Sequence, residues 1–130
     1  MNTSKVKEFN KIFKSFLKQI IPSIGKMYYY KFKLAIKCNS LMPIEEFIIN
    51  VLPVSEKIIN RDETYFVNTD NHQEHIKGDK EVLSEILRLQ DIYFKLDDES
   101  KNNIWNILQA LLILSQEHLQ LNKEKYKINI

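Results

Sequence analysis

The chain has 130 residues, enough for a single hydrophobic core and too few for two. Apolar residues make up 44% of it and charged residues 28%, a balance that is typical of globular proteins and excludes wholesale disorder. With two glycines and three prolines, the chain lacks the turn residues that all-β sandwiches and barrels need, so we predict long helices joined by few loops.

The first forty residues predict two helices. Apolar residues recur at spacings of three and four over residues 4–21, which places them on one face of a helix whose N-cap is Thr3 or Ser4. Pro22 is expected to close this helix and to open a second one over residues 23–38, because proline suits the first turn of a helix. The predicted inner face of the second helix consists of Ile24, Met27, Tyr28, Phe32, Ala35 and Ile36.

The middle of the chain predicts a third helix, a corner and a loop. Pro43 marks the start of the helix, and Pro53 interrupts it before the apolar pattern continues to residue 60. Residues 61–67 form a short element, either a helical turn or an extended piece, that buries two aromatic side chains including Tyr65. Residues 68–78 are polar and aperiodic, and they predict one long, mobile loop.

The last third predicts two further helices. Asp79 is expected to cap one over residues 80–95, and Asp97 to cap the final long helix. Apolar residues cover well over half the circumference of that final helix, so we expect it at the centre of the core or partly against a partner. Residues 123–130 predict a frayed tail. Together these elements predict an all-α fold, a single compact bundle of five or six helices.

The sequence does not indicate a set of catalytic residues. No set supplies a nucleophile, a general base and oxyanion donors together, and capping accounts for the acids at the predicted helix starts. Cys38, the single cysteine, is interpreted as a bystander thiol. His72 and His75 have a spacing found in metal sites, but a solvated polar loop is the favoured interpretation of this segment. We therefore predict no catalytic residue, no metal, no cofactor and no small-molecule substrate.

The positive charge is concentrated in the first forty residues, where nine lysines stand against one glutamate, Glu8, and give a net charge of +8. Such a segment, interleaved with tyrosines, is able to neutralise phosphates and stack on bases. The alternative is that lysine solubilises the outer faces of two amphipathic helices. Arginine, which dominates base readout, occurs only twice. The candidate nucleic-acid contacts are Lys7, Lys11, Lys14, Lys18, Lys31 and Lys33.

Four residues are candidates for contact with a protein partner. Arg61 stands beside two acids and close to Tyr65, which predicts a buried ion pair at a corner of the fold or, alternatively, an anchor for a partner. Trp105 and Leu112 lie two turns apart on one face of the final helix, away from its main apolar line. If part of that helix meets a partner, we expect it to be that face.

The order of these elements resembles a known group of proteins. A phenylalanine-rich first helix is followed by EFIINVLP at 46–53, by IINRDETYF at 58–66, and by an acidic cap that leads into an aromatic residue and LQAL at 108–111. This arrangement is similar to small helical proteins of unknown function encoded by giant nucleocytoplasmic DNA viruses. In those proteins a tyrosine commonly precedes the Leu-Gln pair, whereas Ile107 stands there in this chain. The resemblance implies a viral origin, with the protein in the host cytoplasm or the virion, and it implies no catalytic residues.

The sequence as a whole predicts a non-catalytic module that binds a protein partner, either itself or another chain, and so acts in interaction or assembly. The alternative is an accessory protein that contacts nucleic acid through its lysine-rich N-terminal helices. An intracellular location is expected, since no uncharged apolar run approaches the roughly 18 residues that span a bilayer.

Overall fold

The structure is a computed structural model that describes residues 1–66 and 93–126, apart from the side chains at positions 23, 24 and 28. The predicted loop at 68–78, residues 80–92 of the helix predicted at 80–95 with its cap Asp79, and His72 and His75 lie outside the described residues. Short 3-10 turns cover Leu52–Val54 and Glu63–Phe66. The helices are α1 (Ser4–Ile24), α2 (Met27–Cys38), α3 (Met42–Asn50), α4 (Ser55–Ile59), α5 (Asp98–Leu121) and α6 (Lys123–Tyr126). No strand occurs in these ranges, and the predicted all-α fold is confirmed.

The core is built around the packing of α1 against α5. The buried apolar residues of α1 are Val6, Phe9, Phe13, Phe16, Leu17 and Ile20, which all recur at helical spacing. Helix α5 also packs against α3 and α4, and its buried apolar residues are Ile104, Trp105, Leu108, Leu111, Leu112, Leu114 and Leu119. The final long helix therefore lies at the centre of the core, as its composition predicts.

Helix α1 does not end at Pro22, contrary to the prediction. It continues to Ile24, with Pro22 inside its last turn. Only one backbone hydrogen bond is lost there, because proline lacks an N–H. The helix ends at Gly25, whose φ of 88° and ψ of 167° are open almost only to glycine. The Gly25 N–H donates to the carbonyl of Ile21 at 2.7 Å.

Helix α2 lies at the edge of the bundle and packs against α1 and α3. Its buried anchor is Phe32, whose ring stacks on Phe13 of α1 with centroids 4.8 Å apart. Ile36 and Tyr29 are partly buried against the core. Met27, which was predicted to face inward, is instead exposed. The reason is that Met27 and Phe32 are five residues apart, which places them on opposite sides of a helix.

The helix boundaries predicted at Pro43, Pro53 and Asp97 agree with the structure. Pro43 stands in the first turn of α3, and a 3-10 turn that contains Pro53 separates α3 from α4. Asp97 caps α5, since its carboxylate accepts a hydrogen bond from the backbone N–H of Ser100 at 2.7 Å. This bond lowers the pKa of Asp97, because it favours the ionised carboxylate.

Candidate interaction surface

An apolar stripe lies exposed on the outer side of α2. Met27, Tyr30 and Leu34 are 63%, 60% and 64% exposed, respectively. At about 100° per residue, the three positions fall within a sector of roughly 60°, so they form one continuous line along the helix. We call these three residues the α2 stripe. Cys38, also exposed, follows one turn after Leu34 on the same side.

The α2 stripe is bordered by lysines on both sides. Lys33 and Lys37 lie on one flank and Lys31 on the other, and all three are exposed. No carboxylate lies within ion-pair distance of them in the part of the chain that the structure describes. The ammonium of Lys33 lies 5.5 Å from the ring centroid of Tyr29. Since α2 contains no acidic residue, its outer side is both apolar and positively charged.

A second group of lysines lies in a row on the outer side of α1. Their spacing of four, three and four residues places them on one face, opposite the buried phenylalanines. Within the described ranges, no acidic side chain lies within ion-pair distance of these four, whereas Lys5 pairs with Glu117 of α5 at 3.5 Å. We call this set the α1 lysine row, and it consists of Lys7, Lys11, Lys14 and Lys18. All six predicted nucleic-acid contacts thus reach the surface, on two neighbouring helices.

The predicted partner face of α5 is wrong. Trp105 and Leu112 are 4% and 3% exposed, so neither side chain is available to a partner. The indole N–H of Trp105 donates to the hydroxyl of Tyr93 at 2.9 Å, and its ring contacts that of Phe66. Phe66, from the 63–66 turn, and Tyr93 therefore pack against Trp105 at the position that was predicted to meet a partner.

Tyr65 and Arg61 also make contacts within the fold. Tyr65 is buried, and this burial raises the pKa of its hydroxyl. The guanidinium of Arg61 donates to three side-chain oxygens of α5, those of Asn102, Asn106 and Gln109. Arg61 thus fixes the corner as predicted, but amide oxygens take the place of the expected carboxylates.

The two acids beside Arg61 have other partners. The carboxylate of Asp62 accepts from the backbone N–H and the hydroxyl of Thr64. Glu63 accepts from the hydroxyl of Tyr93 at 2.8 Å.

Arg61 has a positive φ of 50°, which is unusual for a residue with a side chain. This left-handed conformation belongs to a Schellman motif at the end of α4, in which the N–H of Arg61 donates to the carbonyl of Ile58 at 3.2 Å and that of Asp62 to the carbonyl of Lys57 at 2.8 Å.

A polar network that involves both the first and the last described residues was not predicted from the sequence. His118, on α5, is fully buried. Its Nε2 lies 2.7 Å from the hydroxyl of Tyr126, which donates to Glu45 of α3 at 2.9 Å. Asn122 exchanges hydrogen bonds with the backbone of Asn2, N–H to Oδ1 at 2.8 Å and Nδ2 to the carbonyl at 3.0 Å. We call these five residues the terminal network.

The protonation states in the terminal network follow from its hydrogen bonds. The single hydroxyl proton of Tyr126 is directed at Glu45, so Nε2 of His118 donates to that hydroxyl and carries the ring proton. The two hydrogens on Nδ2 of Asn122 donate to the carbonyls of Asn2 at 3.0 Å and His118 at 2.8 Å, and the unprotonated Nδ1 of His118 lies 3.3 Å from that nitrogen. Burial lowers the pKa of His118 and raises that of Tyr126. His118 and Tyr126 are therefore neutral near pH 7, and neither is an activated nucleophile.

The tail was predicted to fray from residue 123. Its first four residues form the helical turn α6, which Tyr126 joins to α3 and α5. Residues 127–130 lie outside the described residues.

Neither a metal cluster nor a membrane-crossing helix occurs in residues 1–66 and 93–126. No group of three or more histidine, cysteine, aspartate or glutamate side chains there is placed to hold a metal ion. No helix in those ranges is long and apolar enough to cross a membrane. No family model, no curated protein and no solved structure matches the chain.

Proposed function

We propose that the protein is a non-catalytic interaction module that binds a partner protein through the α2 stripe. The observation that supports this is the line of three neighbouring, well-exposed apolar side chains on one helix, Met27, Tyr30 and Leu34. Burying one side chain of this size contributes on the order of 1.5–3 kcal/mol before ordering costs. A partner that covers the stripe therefore gains a stabilising apolar contact.

The other exposed apolar side chains are more scattered. Met1 precedes α1, Ile49 lies on α3, Ile59 on α4, Phe94 shortly before α5, and Ile113 and Leu121 two turns apart on α5. Single exposed apolar residues are common on globular proteins and need no partner. The α2 stripe differs because its members are adjacent on one helix face and are bordered by lysines. The viral origin implied by the resemblance is not required for this proposal.

A photo-crosslinking experiment tests the proposal. Benzoylphenylalanine replaces Tyr30 in the full chain, and in a control it replaces Ser15, an exposed residue on the outer side of α1. After irradiation in the source cells, we expect a discrete protein adduct from position 30 and none of that mass from position 15. Unlabelled wild-type chain should compete the adduct away, whereas a Leu34→Glu chain should not. Equal competition by both chains contradicts the proposal.

The second candidate function is contact with nucleic acid through the α1 lysine row. Its support is that Lys7, Lys11, Lys14 and Lys18 lie on one helix face, pair with no carboxylate of the described residues, and span about 16 Å at a rise of 1.5 Å per residue. A row of this length is able to follow the phosphates of one strand. Lysine serves as a point charge for phosphates, so we expect binding without sequence preference.

Salt-dependent binding distinguishes this second candidate. Fluorescence anisotropy with a labelled single-stranded oligonucleotide should show binding at 20 mM salt that weakens steeply by 200 mM, because bound counterions are released. Lys11→Glu with Lys14→Glu and Lys18→Glu should abolish it, whereas Lys123→Glu with Lys125→Glu should not. Absence of binding at low salt removes this candidate, since affinity of this kind is greatest there.

A further inference from the structure

We infer that the partner of the α2 stripe presents an amphipathic helix whose apolar line is bordered by carboxylates. This inference rests on the proposed function and specifies the chemistry of the partner. It depends on three features of α2, namely the width of its exposed apolar face, the spacing of its anchors, and the sign of the flanking charge.

The exposed apolar face of α2 is narrow. Met27, Tyr30 and Leu34 occupy a sector of roughly 60°, which resembles the seam between two packed helices. A helix that lies in a bilayer surface usually buries a much wider apolar face to a depth of about 5–10 Å. The shape of the stripe thus favours a partner helix over an anionic membrane.

The spacing of the anchors also suits a helix. The three residues stand at positions i, i+3 and i+7, which is the pattern by which one helix contacts an elongated apolar surface. Two helices that pack in this way lie about 8–10 Å apart, so side chains that flank the line on each helix come within reach of one another. Lys31, Lys33 and Lys37 would therefore face the flanks of the partner helix.

The positive charge of α2 favours a partner with negative charge. Its three lysines, with Lys26 directly before the helix, pair with no carboxylate in the described part of the chain. A second copy of α2 would bring eight lysines together, and this repulsion disfavours self-association through the stripe. Glutamates or aspartates on the partner neutralise the lysines instead, which increases the association rate and excludes basic partners.

The stripe is poorly suited to nucleic acid. Bases stack on aromatic rings, but only Tyr30 of the stripe offers one, and Met27 and Leu34 are not aromatic. The α2 lysines are therefore assigned to a protein helix, and the second candidate function concerns the α1 lysine row alone.

Three designed peptides of equal length test this inference against the full chain. The first is an amphipathic helix with leucines at i, i+3 and i+7 and flanking glutamates. The second replaces each glutamate by lysine, and the third keeps the composition of the first but scrambles the leucine positions. We expect the first to bind in a fluorescence anisotropy titration at 50 mM salt, and the other two to bind at least tenfold more weakly.

Matched variants locate the contact. Met27→Glu with Leu34→Glu should weaken binding of the acidic peptide more than tenfold, and Lys31→Glu with Lys37→Glu should weaken it severalfold. The control is Ile113→Glu, which places the same charge at a site on α5 that is 56% exposed and should leave binding unchanged. All the substituted positions are exposed, and circular dichroism checks that each variant is folded.

The outcomes distinguish failure of the inference from failure of the proposed function. If position 30 crosslinks a protein in cells but the acidic peptide does not bind, the acidic helix is wrong and the interaction module stands. Equal binding of the lysine peptide also overturns the inference. The inference is also overturned if phosphatidylserine vesicles displace the acidic peptide at a concentration below that of the peptide. It is overturned as well if the chain forms a dimer that Leu34→Glu abolishes. If neither crosslinking nor peptide binding occurs, both proposals fail.

Discussion

The indole N–H of Trp105 has its hydrogen-bond partner inside the chain, in the hydroxyl of Tyr93. That hydroxyl donates in turn to Glu63, so a chain of two bonds leads from the core to the surface. A side chain with its polar atom already satisfied and its ring surrounded by aromatic residues gains nothing from a partner. The aromatic character of Trp105 is therefore explained by the core.

Substitution of Trp105 tests this structural role. Trp105→Ala should reduce the free energy of unfolding by about 3–5 kcal/mol, since it leaves a cavity among the rings of Phe66 and Tyr93. Trp105→Phe retains an aromatic ring and should cost less. Urea denaturation followed by circular dichroism measures both. Wild-type stability in Trp105→Ala would show that the ring does not lie in the core.

The environment of His118 suits only the neutral imidazole. Its Nε2 donates to Tyr126 and its Nδ1 faces the amide nitrogen of Asn122 at 3.3 Å, so a second ring proton would place two donors against each other. Burial adds to this effect and lowers the pKa of His118. The unfolded chain therefore binds the proton more readily than the folded chain does.

A pH dependence of stability follows from this difference. His118 should contribute its full stabilisation above the ordinary histidine pKa of about 6.5, and this contribution should be lost as the pH falls through the lowered pKa of the folded state. Urea unfolding between pH 7.5 and 5.5 measures it. His118→Gln, which keeps a hydrogen-bonding group that does not titrate, should flatten the slope in that window. An unchanged slope in this variant would assign the pH dependence to other groups.

At the scale of single elements, the end of α1 depends on one glycine. The helix passes Pro22 and stops at Gly25, where a φ of 88° turns the chain toward α2. No atom lies within 4 Å of the position that a Cβ would take at Gly25. A side chain there therefore costs stability through backbone strain alone.

Gly25→Ala should lower the free energy of unfolding by roughly 1–3 kcal/mol, the usual cost of a strained backbone conformation. D-Alanine at the same position, introduced by chemical synthesis, should restore most of the loss because its mirror-image backbone preference favours positive φ. Thermal unfolding compares the three chains. If both alanines destabilise equally, steric contact and not backbone conformation limits this position.

Periodicity predicts a helix better than it predicts which of two apolar faces is buried. In α1 the phenylalanines and lysines segregate cleanly, so its inner face is evident from the sequence. In α2 both faces carry apolar residues, and the burial of Phe32 by Phe13 decides between them. Met27 was therefore assigned wrongly. The buried position of His118 was equally hidden, because its partner Tyr126 is held in place by Glu45 of α3, which lies 81 residues before Tyr126 in the chain.

At the scale of the whole molecule, the positive charge of the first forty residues is displayed on one part of the surface. The lysines of the first forty residues lie mainly on two neighbouring helices, α1 and α2, whereas α5 supplies much of the core. The terminal network joins Asn2 to Asn122 and connects α5 and α6 to α3. The packing of Phe32 against Phe13, with further contacts between α2 and α3, holds α2 at the edge of the bundle, with its apolar stripe toward solvent.

The central claim is that the α2 stripe is the binding surface, and NMR mapping tests it most directly. Uniformly 15N-labelled full chain is titrated with the acidic amphipathic peptide, and amide shift changes are followed in 1H–15N spectra. We predict that the largest changes fall in residues 26–38, with small changes in α5. Changes that cluster on α5 or the α1 lysine row, while residues 26–38 stay unchanged, would contradict the account.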